Sequence, residues 1–157
     1  MDRNESIDLF KKRMAGVNRE GRGSLVAFIE GSDFFTAPAS TRFHGANEGG
    51  LLEHSLNVFE CLNRKKHGDS FWMDKLENVS DESIVIVSLL HDICKTYFYT
   101  TEMRNRKIDG KWVQVPCYTV DDRILYGHGE KSVMMIEEYM KLKPVERYAI
   151  RWHMGPY

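Results

Sequence analysis

Hydrophobic positions recur with a helical period along most of this chain. Residues 4–18 place apolar side chains among charged ones, a spacing that predicts an amphipathic helix. A candidate N-cap at Ser24 and a glycine at Gly31 bracket a second, shorter helix. Longer periodic stretches predict helices over 51–66 and 81–95.

The segment 84–90 is apolar on every side of the helix to which it belongs. Its β-branched residues would also suit a strand, but the length of the region and the acidic start at Asp81 and Glu82 favour a helix buried all round. Two further helices are predicted over 129–141 and 144–152.

The stretch 32–50 does not follow the helical period. It is rich in small residues and contains one proline and three glycines, which predicts a loop. The loop is expected to be ordered, because the aromatic side chains of Phe34, Phe35 and Phe43 favour burial.

Residues 97–120 carry a different pattern, that of a β-hairpin. Asp109 and Gly110 separate a β-like run from the alternating residues 111–115, and Asp-Gly between two such runs is a strong hairpin signal. The elements together predict an all-α helical bundle with an inserted β-hairpin near 97–120. A length of 157 residues predicts one domain over 1–157.

Composition and charge exclude several classes of protein. With 42% hydrophobic and 29% charged residues, the chain is ordinary for a globular domain and is not expected to contain large disordered parts. A net charge of −1 provides no global basic field for nucleic acid. No apolar run approaches the ~20 residues of a membrane helix, and the N-terminus lacks the apolar region of a signal peptide. A cytoplasmic protein is therefore expected.

The three cysteines, Cys61, Cys94 and Cys117, are widely spaced along the chain. They form no CxxC pair, so neither a disulfide framework nor a zinc knuckle is predicted. We interpret them as buried free thiols, which is the usual state of an unpaired cysteine.

The pair His91-Asp92 ends the most hydrophobic segment of the chain. Burying two adjacent ionisable groups there is costly unless a partner satisfies them, and a divalent metal would do so through an imidazole nitrogen and a carboxylate oxygen. Lys95 follows His91 by four residues and so shares its helix face, where it can hold a phosphate oxygen. The alternative is a structural, hydrogen-bonded His-Asp pair.

Other histidines add to this pair. His54 shares an apolar helical stripe with Leu51 and Val58 and is expected to point inward, although a lone inward histidine is more often a satisfied core residue. His44 lies in a small-residue loop, His128 lies between two glycines, and His153 lies near the chain end. Each can alternatively be interpreted as a capping or loop histidine. His67 lies in a polar run and is interpreted as a surface residue.

The order of these residues resembles the HD-domain superfamily of metal-dependent phosphohydrolases. The resemblance covers about residues 34–155, and it rests on the segments GGLLEHSLNV, SLLHDICKT, GHGEKSV and RWHMG. These segments look most like the HD domain of bacterial 3′–5′ exoribonucleases and of small phage or prophage HD proteins. The resemblance implies an HD-type helical bundle and hydrolysis of a phosphate ester.

The resemblance also implies a role for individual residues. His54 matches the first metal-ligand histidine, and His91 and Asp92 match the paired ligands that name the family. Lys95 matches a lysine placed near phosphate. His128 and His153 match later histidines that bind a second metal or the scissile phosphate. His44 matches a histidine upstream of the glycine pair and is expected to contact substrate.

These assignments lead to a mechanistic hypothesis. Asp92, Lys95 and His128 are the expected catalytic residues, with Lys95 and His128 stabilising charge on the transferring oxygens. Imidazole and carboxylate ligands suit Mn, Fe, Co, Ni or Zn, and Mg is kept as a further candidate ion. One or two divalent ions are expected per chain, without a prediction of their identity.

One departure from the family pattern concerns the final metal-ligand aspartate. The family supplies it from a helix after the last histidine, whereas this sequence ends four residues beyond His153. Asp121 and Asp122 are of the right type, but their positions do not match. We therefore expect a fragment or a truncated tail, that is, a single HD domain that lacks its C-terminal helix; an incomplete site and replacement of the aspartate by another group are the alternatives.

The substrate is predicted less sharply than the chemistry. A nucleotide or another small phosphate ester is favoured, and a short oligonucleotide cleaved by a 3′–5′ exonuclease-like phosphodiesterase is the alternative. Four basic residues of the hairpin can follow a nucleic-acid backbone, or they can simply protect its edges from aggregation: Arg104, Arg106, Lys107 and Lys111. Another class of function is a non-catalytic nucleotide-sensing or partner-binding module, and a helical domain without metal is the last alternative. The sequence leaves the oligomeric state open.

Overall fold

The computed structural model describes residues 2–43 and 45–155. Within these residues the chain forms seven α-helices, one 3₁₀ turn and one two-stranded antiparallel sheet. The helices are α1 (Arg3–Ala15), α2 (Arg22–Gly31), α3 (Gly50–Gly68), α4 (Ser70–Leu76), α5 (Asp81–Leu90), α6 (His128–Glu137) and α7 (Pro144–Trp152). The 3₁₀ turn is Ile93–Lys95, and the strands are β1 (Tyr99–Ile108) and β2 (Lys111–Val120). The prediction of a mostly helical fold with one hairpin is confirmed.

The core lies between α3 and α5, with α1, α6 and α7 packed around them. Each of these helices contributes fully buried apolar side chains: Phe10, Leu51, Ile86, Leu89, Ile136 and Ile150. Burial of one such side chain stabilises the fold by roughly 1.5–3 kcal/mol. The central pair of helices carries two groups of the candidate site, so the packing that stabilises the fold also places the site.

The loop 32–50 is held to this core by aromatic packing. The ring centroids of Phe10 and Phe34 lie 5.3 Å apart, and those of Phe34 and Phe35 lie 5.7 Å apart. The prediction of an ordered loop with Phe34 and Phe35 buried is therefore correct. The prediction for Phe43 is wrong, because its side chain is 78% exposed at the edge of a cleft instead of in the core.

Several helix boundaries differ from the sequence prediction. Helix α2 begins before Ser24, because Gly21 adopts φ 83° and turns the chain into the helix one turn earlier. Helix α5 ends at Leu90, and Asp92 leaves helical geometry with φ −106° and ψ 17°. Helix α6 ends at Glu137 instead of reaching residue 141. Helix α4 was not predicted.

The hairpin has the register that its turn requires. Asp109 and Gly110 have φ values of 49° and 81°, and both positive angles are needed for the tight turn whose twist matches antiparallel strands. Tyr99 fixes the base of the hairpin, because its hydroxyl lies 3.2 Å from the Ala39 carbonyl oxygen and donates to it. Beyond this base most side chains of the strands are exposed.

Two surface predictions have different outcomes. His67 is half exposed and lies 3.0 Å from Asp81, so its interpretation as a surface residue is confirmed. The interpretation of the three cysteines as buried is confirmed for Cys94 and wrong for Cys61, which is exposed on α3, while Cys117 is only partly buried. In the part of the chain that the structure describes, no helix has both the length and the apolar character needed to span a membrane. The compartment and the assignment of 1–157 to one HD domain stay predictions.

Candidate metal centre

The candidate site forms where four helices meet the turn that follows α5. His54 comes from the second turn of α3, and His91 and Asp92 follow the end of α5. His128 begins α6, and His153 directly follows α7. Residues separated by almost one hundred positions in the chain therefore surround one carboxylate, that of Asp92.

Close packing of α6 against α7 brings the last two histidines together. A Cβ atom at Gly129 would lie 2.7 Å from the carbonyl carbon of Arg151, so the helices approach at a distance that only glycine allows. His128 precedes Gly129, and His153 follows Arg151 by two residues. Their ring centroids lie 5.1 Å apart.

The atoms of His54, His91 and Asp92 have the mutual spacing of ligands on one ion. The two Nε2 atoms lie 3.2 Å apart, and each lies 3.4 Å from Asp92 Oδ2. Metal–ligand bonds of about 2.0–2.1 Å put two ligands roughly 2.9 Å apart at a right angle and 3.4 Å apart at a tetrahedral angle. The three groups are therefore able to hold a metal ion without a rearrangement of the backbone.

Backbone carbonyls fix the orientation of two imidazole rings. His91 Nδ1 lies 2.9 Å from the Ser88 carbonyl oxygen, and His153 Nδ1 lies 2.6 Å from that of Ile150. Because a carbonyl only accepts, each Nδ1 is the donor, and in the neutral ring each Nε2 carries a lone pair. This is the orientation in which histidines bind metals, with the second nitrogen hydrogen-bonded to the protein.

The Nε2 atoms of these two rings then face negative charge. His153 Nε2 is buried and lies 3.3 Å from Asp92 Oδ1 without the geometry of a hydrogen bond. A lone pair that faces a carboxylate is unfavourable unless a cation lies between them, either a proton or a metal ion. The donor set and this unpartnered nitrogen both fit a divalent cation.

The two oxygens of Asp92 face opposite sides of the centre. Oδ2 faces His54 and His91, whereas Oδ1 lies 2.6 Å from His128 Nε2. The carboxylate is almost completely buried. Asp92 is therefore placed to contact groups on both sides at once.

The electrostatics of the centre favour an ionised carboxylate. Burial by itself would raise the pKa of Asp92, but its contacts with His128, His153 and His91 lower that pKa well below its usual range. Burial likewise would lower the pKa of His153, but Asp92 and the Ile150 carbonyl raise it above its ordinary value. Lys95 adds a further cation, with Nζ 2.7 Å from Asp92 Oδ2.

Sequence reasoning missed Cys94 as a member of this group. Its Sγ lies 3.5 Å from His128 Nδ1, and Asp92, Cys94 and His128 form a second set of atoms able to hold a metal. The position of Cys94 two residues after Asp92 was visible in the sequence. An unbroken helix would point these two side chains in different directions, however, so no pattern linked them.

An open cleft of about 640 Å³ leads to the centre. Its polar lining residues include His54, His91, His153, Asp92 and Lys95, and its apolar lining residues include Phe43, Val58, Val87 and Met154. Clefts of this size with a few convergent polar groups are typical of small-molecule sites.

The remaining predicted site residues either contact groups away from the centre or lie outside the residues that the structure describes. His44 lies outside the described residues, so its predicted substrate contact stays a prediction. Asp122 Oδ1 lies 2.7 Å from Lys131, and Asp121 pairs with Arg123 at 2.7 Å. Within residues 2–43 and 45–155, neither aspartate belongs to a set of atoms able to hold a metal.

Comparison with known proteins yields one curated relative. The chain is 34% identical over 85 residues to the dihydroneopterin 2′,3′-cyclic phosphate phosphodiesterase of Methanocaldococcus jannaschii, which is 54% of this chain and 31% of the relative. The match thus spans less than a third of the length of that protein. No protein-family model matches, and no solved structure matches. The chain is therefore similar to a phosphodiesterase over half its length, and its histidine–aspartate cluster fits the HD motif.

Proposed function

We propose that this chain is an HD-type, metal-dependent phosphohydrolase that cleaves a small nucleotide-like phosphodiester, with cyclic phosphates among its substrates. The observation that carries the proposal is the 3.2–3.4 Å spacing of His54 Nε2, His91 Nε2 and Asp92 Oδ2. The relative supports the reaction class, since its name describes hydrolysis of a cyclic phosphate.

His54, His91 and Asp92 would hold the ion at the inner end of the cleft. A divalent ion supplies two functions when bound, because it lowers the pKa of water and polarises a phosphoryl oxygen. The carbonyl of Ser88 keeps the His91 ring in the ligating orientation. If two ions bind, His128 and His153 are the proposed ligands of the second.

Lys95 and His128 would act on the charge that develops on the phosphoryl oxygens. Lys95 Nζ reaches the cleft beside Asp92, and a flexible lysine can move from the carboxylate to a phosphate oxygen. His128 Nε2 lies 2.6 Å from Asp92 Oδ1, and in this contact the nitrogen is the donor because a carboxylate only accepts. Donors that contact the charge developing in the transition state usually make the largest single contribution to lowering the reaction barrier.

The cleft favours a substrate that carries a planar ring. Phe43 and Met154 line the same cleft as the charged groups, and both expose large apolar surfaces. An aromatic base can pack on such a surface while its phosphate contacts Lys95. This combination supports a nucleotide-like ester over a bare sugar phosphate.

Three basic residues of the hairpin lie near its turn, far along the strands from the base that contacts the rest of the fold. Eight residues separate Tyr99, at the base, from Lys107, which is roughly 26 Å along an extended strand. Arg104 pairs with Glu102 on the same strand, which leaves Arg106, Lys107 and Lys111 as its exposed cations. They favour only a longer oligonucleotide, which we retain as the second substrate.

The proposal is tested by elemental analysis of the purified wild-type protein beside His54→Ala and His67→Ala. Both histidines lie on α3, but His67 is at the surface and pairs with Asp81. We expect one or two transition-metal ions per chain in wild type and His67→Ala, fewer in His54→Ala, and turnover of 2′,3′-cyclic nucleotides only where the metal is retained. A wild-type protein that takes up no metal on reconstitution would refute the proposal. Metal and nucleotide binding without turnover would instead identify a non-catalytic, nucleotide-sensing module.

A further inference from the structure

A cysteine lies among the groups on the Oδ1 side of Asp92. Cys94 Sγ is 3.5 Å from Nδ1 and 3.6 Å from Nε2 of His128, and His128 Nε2 is 2.6 Å from Asp92 Oδ1. One ligand atom from each of the three residues lies within 4.8 Å of the other two. The side chain of Cys94 is buried, whereas Cys61 is exposed and Cys117 lies on the hairpin.

We propose that Cys94 is a thiolate ligand of a second metal ion, which it holds together with Asp92 and His128. Asp92 then bridges two ions, with Oδ2 on the ion of His54 and His91 and Oδ1 on the ion of Cys94 and His128. The inference rests on the proposed function in that both ions share this carboxylate. The bound ion belongs to the class that accepts thiolate and imidazole together, namely zinc, cobalt or iron.

The separation of sulfur and nitrogen suits a shared ion. Metal–sulfur bonds of about 2.3 Å and metal–nitrogen bonds of about 2.0 Å put the two ligand atoms roughly 3.5 Å apart at a tetrahedral angle. Cys94 Sγ and the nitrogens of His128 have this separation. Nearly equal distances to both nitrogens place the sulfur over the face of the ring, so the imidazole must turn to present Nε2 to the ion.

His128 is placed where such a turn is feasible. His128 is the first residue of α6, and its side chain is partly exposed. Its Nε2 lies at hydrogen-bond distance, 2.6 Å, from Asp92 Oδ1. A shared ion would widen that contact to about 3 Å, given bonds of about 2.0–2.1 Å to both ligand atoms. Rotation of a side chain at a helix N-terminus achieves this without moving the helices.

The fold positions Cys94 by breaking α5 before it. In a continuous helix, residues two positions apart do not face each other, so Asp92 and Cys94 would point away from a common ion. The 3₁₀ turn Ile93–Lys95 instead brings both side chains to His128. The backbone N–H of Cys94 donates to Ser132 Oγ of α6 at 3.2 Å, which ties the turn to the helix that carries His128.

A thiolate ligand changes which metals the centre accepts. When Cys94 binds the ion, its sulfur–hydrogen bond breaks, a metal–sulfur bond forms, and the proton passes to solvent. A soft ligand disfavours magnesium, which prefers oxygen donors. The inference therefore narrows the broad set of metals that the histidines and the aspartate alone allow.

The test uses cobalt(II)-loaded protein, because a thiolate on cobalt produces an intense near-ultraviolet charge-transfer band. Wild type, Cys94→Ser, Cys61→Ser and Cys117→Ser are loaded in parallel, and their absorption and cobalt content are measured. We expect the band in wild type and in the two control variants. We expect Cys94→Ser to lose the band and about one of two cobalt ions, while the ion of His54 and His91 remains.

A second measurement needs no variant, so it stays decisive if Cys94→Ser fails to fold. X-ray absorption of zinc-loaded wild type should show a sulfur shell at about 2.3 Å. Metal that binds without a sulfur shell or a thiolate band would overturn the inference and leave the proposed function intact. A band that persists in Cys94→Ser would also overturn it. A wild-type protein that binds neither cobalt nor zinc would refute the proposed function as well.

Discussion

Lys95 Nζ lies 2.7 Å from Asp92 Oδ2, the same oxygen that faces the Nε2 atoms of His54 and His91. The ammonium group therefore neutralises the carboxylate on the side where we place a metal ion. A metal on this oxygen would compete with Lys95 and favour its movement toward a phosphate in the cleft. The pair thus links occupation of the metal site to the availability of a substrate-binding cation.

Replacement of Lys95 by methionine separates these two roles. In Lys95→Met, we expect the metal content to stay at the wild-type level, because a competing cation has been removed. The turnover number should fall roughly 100-fold, as is typical for loss of one preorganised group that stabilises transition-state charge. Elemental analysis and steady-state kinetics with a 2′,3′-cyclic nucleotide check both values. Lys12→Met, on the exposed face of α1, is the control, and loss of metal in Lys95→Met would contradict the assigned role.

The contact between α6 and α7 is predicted to be sensitive to one methyl group. In Gly129→Ala, the new Cβ meets the Arg151 backbone, and overpacking of this kind costs about 1–3 kcal/mol in the free energy of unfolding. Because these helices carry His128 and His153, metal affinity should fall as well. Thermal unfolding and metal titration measure the two effects.

Gly31→Ala is the matched control for this substitution, since a Cβ at Gly31 has no heavy atom within 4 Å other than those of its local helix and chain neighbours. Alanine there should leave metal affinity unchanged and raise stability slightly, by up to about 1 kcal/mol, as expected for alanine over glycine in a helix. Equal effects of the two substitutions would argue that close packing at Gly129 does not position the centre.

A buried ion pair away from the centre gives a pH-dependent stability. Glu146 is fully buried, contacts Arg19 at 2.6 Å and accepts a hydrogen bond from Ser83 at 2.7 Å. Burial by itself would raise the pKa of Glu146, but Arg19, Ser83 and the Lys143 amide lower it below its ordinary value of 4.5. Its ionisation therefore stabilises the folded state above pH 4.5, and this contribution is lost as the pH falls through the lowered pKa.

Replacement of Glu146 by glutamine should therefore reduce the free energy of unfolding by about 3 kcal/mol at neutral pH, as is typical when one partner of a buried ion pair is removed. The difference from wild type should shrink as the pH is lowered below 4.5. Denaturant unfolding at a series of pH values measures this difference. The exposed Glu138→Gln is the control, and a difference that is independent of pH would show that hydrogen bonding, not charge, is responsible.

The hairpin distinguishes the two substrate classes. A double substitution, Arg106→Gln with Lys107→Gln, should leave kcat/KM for a small cyclic nucleotide unchanged, because these side chains lie roughly 26 Å along the strand from its base. For a short oligonucleotide, kcat/KM should fall and depend less on salt concentration, since backbone contacts release counterions. A loss with the small substrate would show that the hairpin closes over the cleft.

Patterns between neighbouring residues predicted much of the fold. Helix α7 has the predicted limits because Pro144 suits the first turn of a helix, and its apolar side chains follow the helical period. The turn at Asp109-Gly110 was equally predictable, because its positive φ angles depend on these two residues. The pair His91-Asp92 stood out for a similar reason, since ionisable groups at the end of an apolar run need a partner. These features are determined over a few residues of chain.

Tertiary contacts decided the rest. The end of α5 before His91, the inclusion of Cys94 beside His128, and the exposure of Phe43 depend on residues far away in the chain. No periodicity predicts a break at Asp92, whose carboxylate contacts histidines from α3, from α6 and from the end of α7. The sequence by itself determined which ligand types this protein carries and roughly where its helices run. Only packing determined which ligand atoms meet, because separations of 3–4 Å between side chains depend on helix crossings that local patterns do not encode.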